Sequence, residues 1–217
     1  MAKSIILTKW SPNLAYAVGL LTTDGSLSKD RRHVDFTSKD IEQIQNLKTA
    51  LNIRSKIGQK KSGSGKISYR VQIGNVVFYN FLISIGLYPN KTKTLGVIKI
   101  PNEFFFDFLR GHFDGDGTFY AYKDNRWKNS HMHYMCFCSA SKDHIKWIRV
   151  KINELLSIKG SLVKAKNNSA YQLKYAKKES STLISHIYYN NQVICLKRKL
   201  NNVTQICAGG EMVYTYA

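Results

Sequence analysis

Negative charge is scarce in this chain. Fourteen aspartates and glutamates stand against 33 lysines and arginines, a net charge of +19 over 217 residues. That excess points to a polyanionic partner, and to nucleic acid before a membrane surface, because no basic amphipathic anchor is evident. Long apolar runs are missing too. Ile5-Ile6-Leu7 falls far short of the roughly 20 residues that a membrane span needs, and no secretory signal precedes it. Cysteine is sparse. Cys136, Cys138, Cys195 and Cys207 form no CxxC. Free thiols without a targeting segment fit a reducing interior. The expected location is therefore intracellular, in a bacterial or archaeal cytoplasm or an organelle matrix, and not secreted. His131 and His133 lie just before Cys136 and Cys138, which raises zinc. On a strand, however, the histidines share one face and the cysteines the other, and that parity argues against one tetrahedral site. Apolar residues make up 43% of the chain, enough for a real core, and the length allows one large or two small domains.

What is present is a duplication. Leu109-Arg110-Gly111-His112-Phe113-Asp114-Gly115-Asp116-Gly117 has a weaker copy in Ala17-Val18-Gly19-Leu20-Leu21-Thr22-Thr23-Asp24-Gly25. Each has an apolar helical lead-in, a glycine six residues before the last glycine, and an Asp-Gly end. Each lead-in begins Pro-Asn, at Pro12 and Pro101. Proline suits the first helical turn, and Ser11 is placed to cap the first copy. Gly19 and Gly111 remove the side chain where two helices could meet backbone to backbone. Thr23 and Gly115, four residues on, are small and lie on the same faces. If the helices pack in parallel, Asp24 and Asp116 become neighbours. Two adjacent carboxylates need a proton or a cation, and oxygen-only ligands favour Mg²⁺. A calcium loop fails, because its sixth position, which requires glycine, is Phe119.

Each motif is followed by the same order of elements. After the first, a short hairpin turns at Lys29-Asp30-Arg31. Ser38 is expected to cap a helix carrying Ile41, Ile44, Leu47 and Leu51 at helical spacing. Ser141-Lys142-Asp143 repeats Ser38-Lys39-Asp40, with Ile145, Ile148, Ile152 and Leu155 behind it. The aspartates are 92 residues apart (116 − 24) and these serines 103 (141 − 38), so an 11-residue insertion is expected near Lys123 to His131. A second hairpin runs from Arg54 to Gly74 around Ser62-Gly63-Ser64-Gly65. Its return strand puts Ile67, Tyr69, Val71 and Ile73 on one face and Lys66, Ser68, Arg70 and Gln72 on the other. Tyr171, Leu173 and Tyr175 against Gln172 and Lys174 answer in the second half. These wet faces carry Lys, Arg and Gln and no acid, the inventory for phosphates and purine edges. The expected nucleic-acid contacts are Lys56, Lys60, Lys66, Ser68, Arg70, Gln72, Lys164, Lys166, Gln172 and Lys174. A third helix follows in each half, at Asn75 to Gly86 and about Ser180 to Asn190. Then come Lys91-Thr92-Lys93 and Lys197-Arg198-Lys199. Thr94 to Pro101 reads as the linker, and the tail after Val203 has no assignment.

The paired motifs resemble those of the LAGLIDADG homing endonucleases in the single-chain form with two copies. The second copy is the closer match; the first departs at Ala17, Thr22 and Thr23. The resemblance covers most of the chain, since the repeated elements follow it. It implies an α+β fold of two pseudo-symmetric αββαββα halves, at residues 1–96 and 97–217. Saddle-shaped antiparallel sheets and paired motif helices at the interface go with it. It also implies a metal-dependent, site-specific endonuclease acting on double-stranded DNA as a monomer. Asp24 and Asp116 would be catalytic and metal-binding, with the carbonyls of Thr23 and Gly115 completing coordination. Lys91 and Lys197 match the family's helper lysines, with Lys93 or Lys199 as alternatives in a loose alignment. Mg²⁺ is the expected metal, Mn²⁺ a substitute, and Ca²⁺ a ligand that supports binding without efficient cleavage. Asp114 has no acidic counterpart in the first copy, where Thr22 stands, and reads as secondary. No splice-junction residues flank the chain, so an intein is not expected. Two competing readings share the fold: an intron maturase binding its own intron RNA, and a catalytically silent DNA-binding protein.

Overall fold

The computed structural model describes residues 6–61, 65–123, 131–165 and 170–208. Among them are seven α-helices and two four-stranded antiparallel sheets, an α+β fold. The chain divides into two compact units that cut across the repeats. One holds Met1–Lys91 with Val97–Gly115, the other Thr92–Gly96 with Asp116–Ala217.

The first unit begins with helix α1 (Pro12–Asp24), capped as expected: the Ser11 hydroxyl accepts the Leu14 N–H at 3.2 Å, and Pro12 opens the first turn. Every residue from Leu14 to Thr22 is buried. The helix stops at Gly25, where an added Cβ would collide with the backbone of Leu21. The chain then enters β1 (Gly25–Leu27) and β2 (His33–Ser38). The N-cap of α2 (Ile41–Ala50) is Asp40 rather than Ser38: Asp40 accepts the Glu42 N–H at 3.1 Å. Ser38 stays in β2, paired with Tyr69. Strands β3 (Gly58–Lys61) and β4 (Ile67–Gly74) complete the sheet in the order β1-β2-β4-β3. The Ser62-Gly63-Ser64 part of the expected turn lies outside the described residues. Helix α3 (Val76–Ser84) is capped by Asn75, whose side chain accepts the Phe78 N–H at 2.9 Å. Helix α4 (Phe105–Asp116) belongs to this unit up to Gly115.

The second unit repeats the plan. Strands β5 (Thr118–Lys123), β6 (His131–Ser139), β7 (Ser161–Lys164) and β8 (Tyr171–Tyr175) form a sheet in the order β5-β6-β8-β7. Helix α5 (Lys142–Leu156) is capped by Ser141, and the segment Thr92–Gly96 docks on its start. Ser141 Oγ donates to the Leu95 carbonyl at 2.5 Å, and His144 Nδ1 bonds the Gly96 carbonyl at 2.8 Å. Helix α6 (Lys177–Ile187) starts three residues before Ser180, whose buried hydroxyl bonds back to the Lys177 carbonyl instead of capping. Helix α7 (Lys197–Ala208) follows, where the first half has only a 3₁₀ turn at Lys91–Lys93 among the described residues.

The structural match between halves corrects the spacing. Ser38 and Ser139 each end a strand, and each hydroxyl accepts the N–H two residues on, Asp40 at 3.0 Å and Ser141 at 3.1 Å. The offset there is 101 (139 − 38) against 92 for the aspartates, so the insertion is nine residues rather than 11. Its centre, residues 124–130, lies outside the described residues.

The inner faces are largely as the alternation requires. Val71, Leu173 and Tyr175 are fully buried and Ile73 nearly so. Tyr69 is only half-buried, and Ile67 is 52% exposed, because β4 runs past the core at that end. Leu173→Ala is expected to cost about 2–5 kcal/mol in denaturant unfolding, while Gln172→Ala, one residue away on the outer face, should stay within about 0.5 kcal/mol.

Candidate functional site

Helices α1 and α4 meet at their glycines. A Cβ on Gly19 would lie 2.7 Å from the His112 nitrogen and 2.9 Å from the Gly111 Cα, and would collide with the Phe108 carbonyl oxygen. A Cβ on Gly111 would collide with the Tyr16 carbonyl oxygen and lie 3.0 Å from the Leu20 nitrogen. Four residues further on, a Cβ on Gly115 would run into the side chain of Thr23. The residue after Thr23 is Asp24 and the residue after Gly115 is Asp116. Both aspartates end their helices, and both are exposed.

A buried polar network fixes this helix contact. The Tyr16 hydroxyl donates to Asp114 Oδ2 at 2.8 Å. Arg110, 1% exposed, pairs with Asp107 at 2.8 Å and stacks over the Tyr16 ring at 5.3 Å. Gln43 of α2 donates to the Asp114 carbonyl at 3.1 Å and accepts from Ser38 Oγ at 2.5 Å. Asp114 is thus tied into the helix packing, whereas Asp24 and Asp116 stand at the open ends.

One lysine in each half bonds the carbonyl that follows a motif aspartate. Lys91 is buried, and its ammonium donates to the carbonyl of Gly25, the residue after Asp24. In the second half Lys199 makes the matching contact. Lys199 Nζ donates at 2.7 Å to the carbonyl of Gly117, the residue after Asp116. Lys197 is exposed at the first turn of α7. Asn202, three residues beyond Lys199, shares its face and donates to the Phe119 carbonyl at 2.7 Å, so α7 lies along β5 and aims Lys199. If the site at Asp116 is the working one, Lys199→Met should lower turnover about 10-fold to 100-fold and Lys197→Met hardly at all. Single-turnover rates on one substrate separate the two.

The outer sheet faces carry the expected basic and amide residues, with two amendments. Arg70 and Gln72 are exposed, and Gln172 and Lys174 are half-exposed. Lys60 pairs with Ser68 across β3–β4 and shares its face, and Lys56 and Lys66 are exposed beside the strands. Lys164 pairs with Tyr171, so its parity is that of the inner-face residues Leu173 and Tyr175, not of Gln172 and Lys174. Lys166 lies outside the described residues. The outer face also holds an acid. Asp35 of β2 sits opposite Gln72 and takes Arg70 through Nε at 2.9 Å and Nη2 at 2.6 Å. In β2, Asp35 alternates with the buried Val34 and Phe36, and the β2–β4 pairing puts it beside Arg70.

Among the described residues, no three His, Cys, Asp or Glu side chains gather as a metal centre. The donors that do fit a hard divalent ion are the two exposed carboxylates and the carbonyls of the last helical turns. These are oxygen ligands only, at helix ends where the dipole favours a cation.

Two glycine-bearing helices in contact, each ending in an exposed aspartate and leading into a four-stranded antiparallel sheet, define a duplicated LAGLIDADG-type architecture. The family model described as the LAGLIDADG-like domain matches residues 11–86. That match spans the first repeat, and the second sheet repeats its strand order. Its fold is similar to that of the homing endonuclease I-WcaI bound to its DNA recognition sequence (TM-score 0.62, 13% identity, covering 89% of this chain and 88% of that one). It is also similar to full-length DUF199/WhiA from Thermatoga maritima (TM-score 0.58, 15% identity, 94% of this chain) and spans 63% of that protein's length. A third likeness is to I-DmoI in complex with DNA and Mn (TM-score 0.51, 18% identity, covering 84% and 98%). These likenesses concern the fold, which homing endonucleases share with DUF199/WhiA. No curated protein sequence matches the chain.

Proposed function

We propose that this chain is a site-specific double-strand DNA endonuclease of the homing type, dependent on a divalent metal and acting as a monomer. The observation that carries the reading is the repeated constellation at the ends of α1 and α4. Each has an exposed aspartate, a small residue before it, and a glycine after it whose carbonyl accepts a lysine ammonium.

Asp24 and Asp116, with the carbonyls of Thr23 and Gly115, would hold the metal. Mg²⁺ is the first choice, and the I-DmoI structure with DNA and Mn supports Mn²⁺ as a substitute. When bound, a divalent ion supplies an activated water and neutralises charge on the phosphate and on the leaving oxygen. The chain's own residues supply the rest. Lys91 and Lys199 brace the turn after each aspartate and add positive charge beside it. Lys60, Ser68, Gln72, Gln172 and Lys174 offer donors to phosphates and bases. Arg70 is pre-oriented by Asp35 and keeps further N–H groups for a guanine edge, the commonest specific contact in the major groove.

The test incubates the purified chain with Mg²⁺ and DNA from its own insertion locus, alongside a plasmid library of randomised targets. The expected result is a double-strand break at one defined site. Ca²⁺ should support binding without cleavage, and affinity should fall steeply with salt as counterions are released. No cut product from either substrate, with Mg²⁺ or Mn²⁺, contradicts the reading.

A further inference from the structure

The nuclease reading leaves the Cys136–Cys138 pair without a role. Both residues lie on β6, two apart, and their strand partners on β8 are Lys174 and Gln172, two of the proposed DNA contacts. Their sulfurs are 3.8 Å apart. His133 turns to the inner face, where it packs on Phe119 with ring centres 5.2 Å apart, and takes no part. Two metal–sulfur bonds of about 2.3 Å at a tetrahedral angle span about 3.8 Å between sulfurs. The thiols are therefore already spaced as two ligands of one tetrahedral ion.

We propose that Cys136 and Cys138 form a two-thiol site for a thiophilic divalent ion of the zinc and cadmium class, and that filling it blocks the DNA-binding face. Sulfur selects a different ion from the oxygen ligands of Asp24 and Asp116, so the chain would carry a hard site and a soft site. Cys138 is half-exposed and engages first; Cys136, buried behind it, then closes the chelate. Each binding event forms two metal–sulfur bonds, breaks two S–H bonds and releases two protons to the buffer. The remaining coordination positions are left to water, and the hydrated ion stands in the row that Lys174 and Gln172 present to DNA. The blocking role rests on the nuclease reading; the metal site does not.

The experiment titrates the full chain, kept reduced with a non-chelating phosphine, with Cd²⁺. Binding is followed by thiolate-to-cadmium charge-transfer absorption and by native mass. One ion per chain is expected, lost in Cys138→Ser and in Cys136→Ser and retained in Cys195→Ser. Cys138 is half-exposed, so its serine variant should fold, and circular dichroism checks this. Cd²⁺ absorption in the Cys136→Ser/Cys138→Ser variant equal to the parent's overturns the site. In a DNA-binding assay Cd²⁺ should weaken the parent at least about 10-fold and leave Cys138→Ser unchanged. Equal weakening of both overturns the blocking role. The absorption titration contains no DNA, so failure of the nuclease reading is seen separately, as absent DNA binding before any Cd²⁺ is added.

Discussion

Gly111→Ala is expected to destabilise the chain by about 2 kcal/mol or more, a drop in Tm of at least about 4 °C. The intrinsic effect has the opposite sign, since alanine favours a helix over glycine by about 1 kcal/mol. The methyl group, however, would be placed against the backbone of Tyr16 and Leu20, not against a side chain that can rotate away. The helices would have to separate, stretching the 2.8 Å Tyr16–Asp114 hydrogen bond and the seat of buried Arg110. Gly19→Ala meets the same obstacle from the other side. Gly96→Ala is the control: nothing lies within 4 Å of its added Cβ, so it should be nearly neutral. Differential scanning calorimetry on the three variants decides the matter, and a Gly111→Ala chain as stable as its parent would show that the backbones do not touch there.

Asp24→Asn and Asp116→Asn should each lower cleavage by about 100-fold to 1,000-fold, the several kcal/mol that metal-borne charge stabilisation supplies. Folding should not suffer, because both side chains are exposed and asparagine has the same shape. Stability changes within about 0.5 kcal/mol are expected. DNA affinity should hold or rise slightly, since a negative charge is removed from a surface that meets phosphates. This separates the motif aspartates from Asp114. Removing the buried carboxylate of Asp114 would leave the Tyr16 hydroxyl without its acceptor and weaken folding first.

The motif helices, the apolar stripes of α2 and α5, and the inward Val71, Ile73, Leu173 and Tyr175 were legible because each follows from local periodicity, except that Ile41 at the start of α2 is 42% exposed. Three features were not. The triplets Ser38-Lys39-Asp40 and Ser141-Lys142-Asp143 are identical strings with shifted roles, since β2 carries Ser38 in its ladder while β6 has already ended at Ser139. Pairing of strands distant in sequence decides which serine caps. The Lys199–Gly117 contact needed α7. Its signal was present in Leu196, Leu200, Val203 and Cys207 at helical spacing, and extending that stripe puts Lys199 and Asn202 together toward β5. Asp35 required the β2–β4 register, which neither strand reveals alone.

The most direct test of the central claim measures cleavage and affinity on the same DNA substrate, in Mg²⁺, for the parent and the Asp24→Asn/Asp116→Asn double variant. The expected result is no double-strand product from the double variant, with a Kd within about threefold of the parent's. Full double-strand cleavage by the double variant would contradict it and remove the two aspartates from the chemistry.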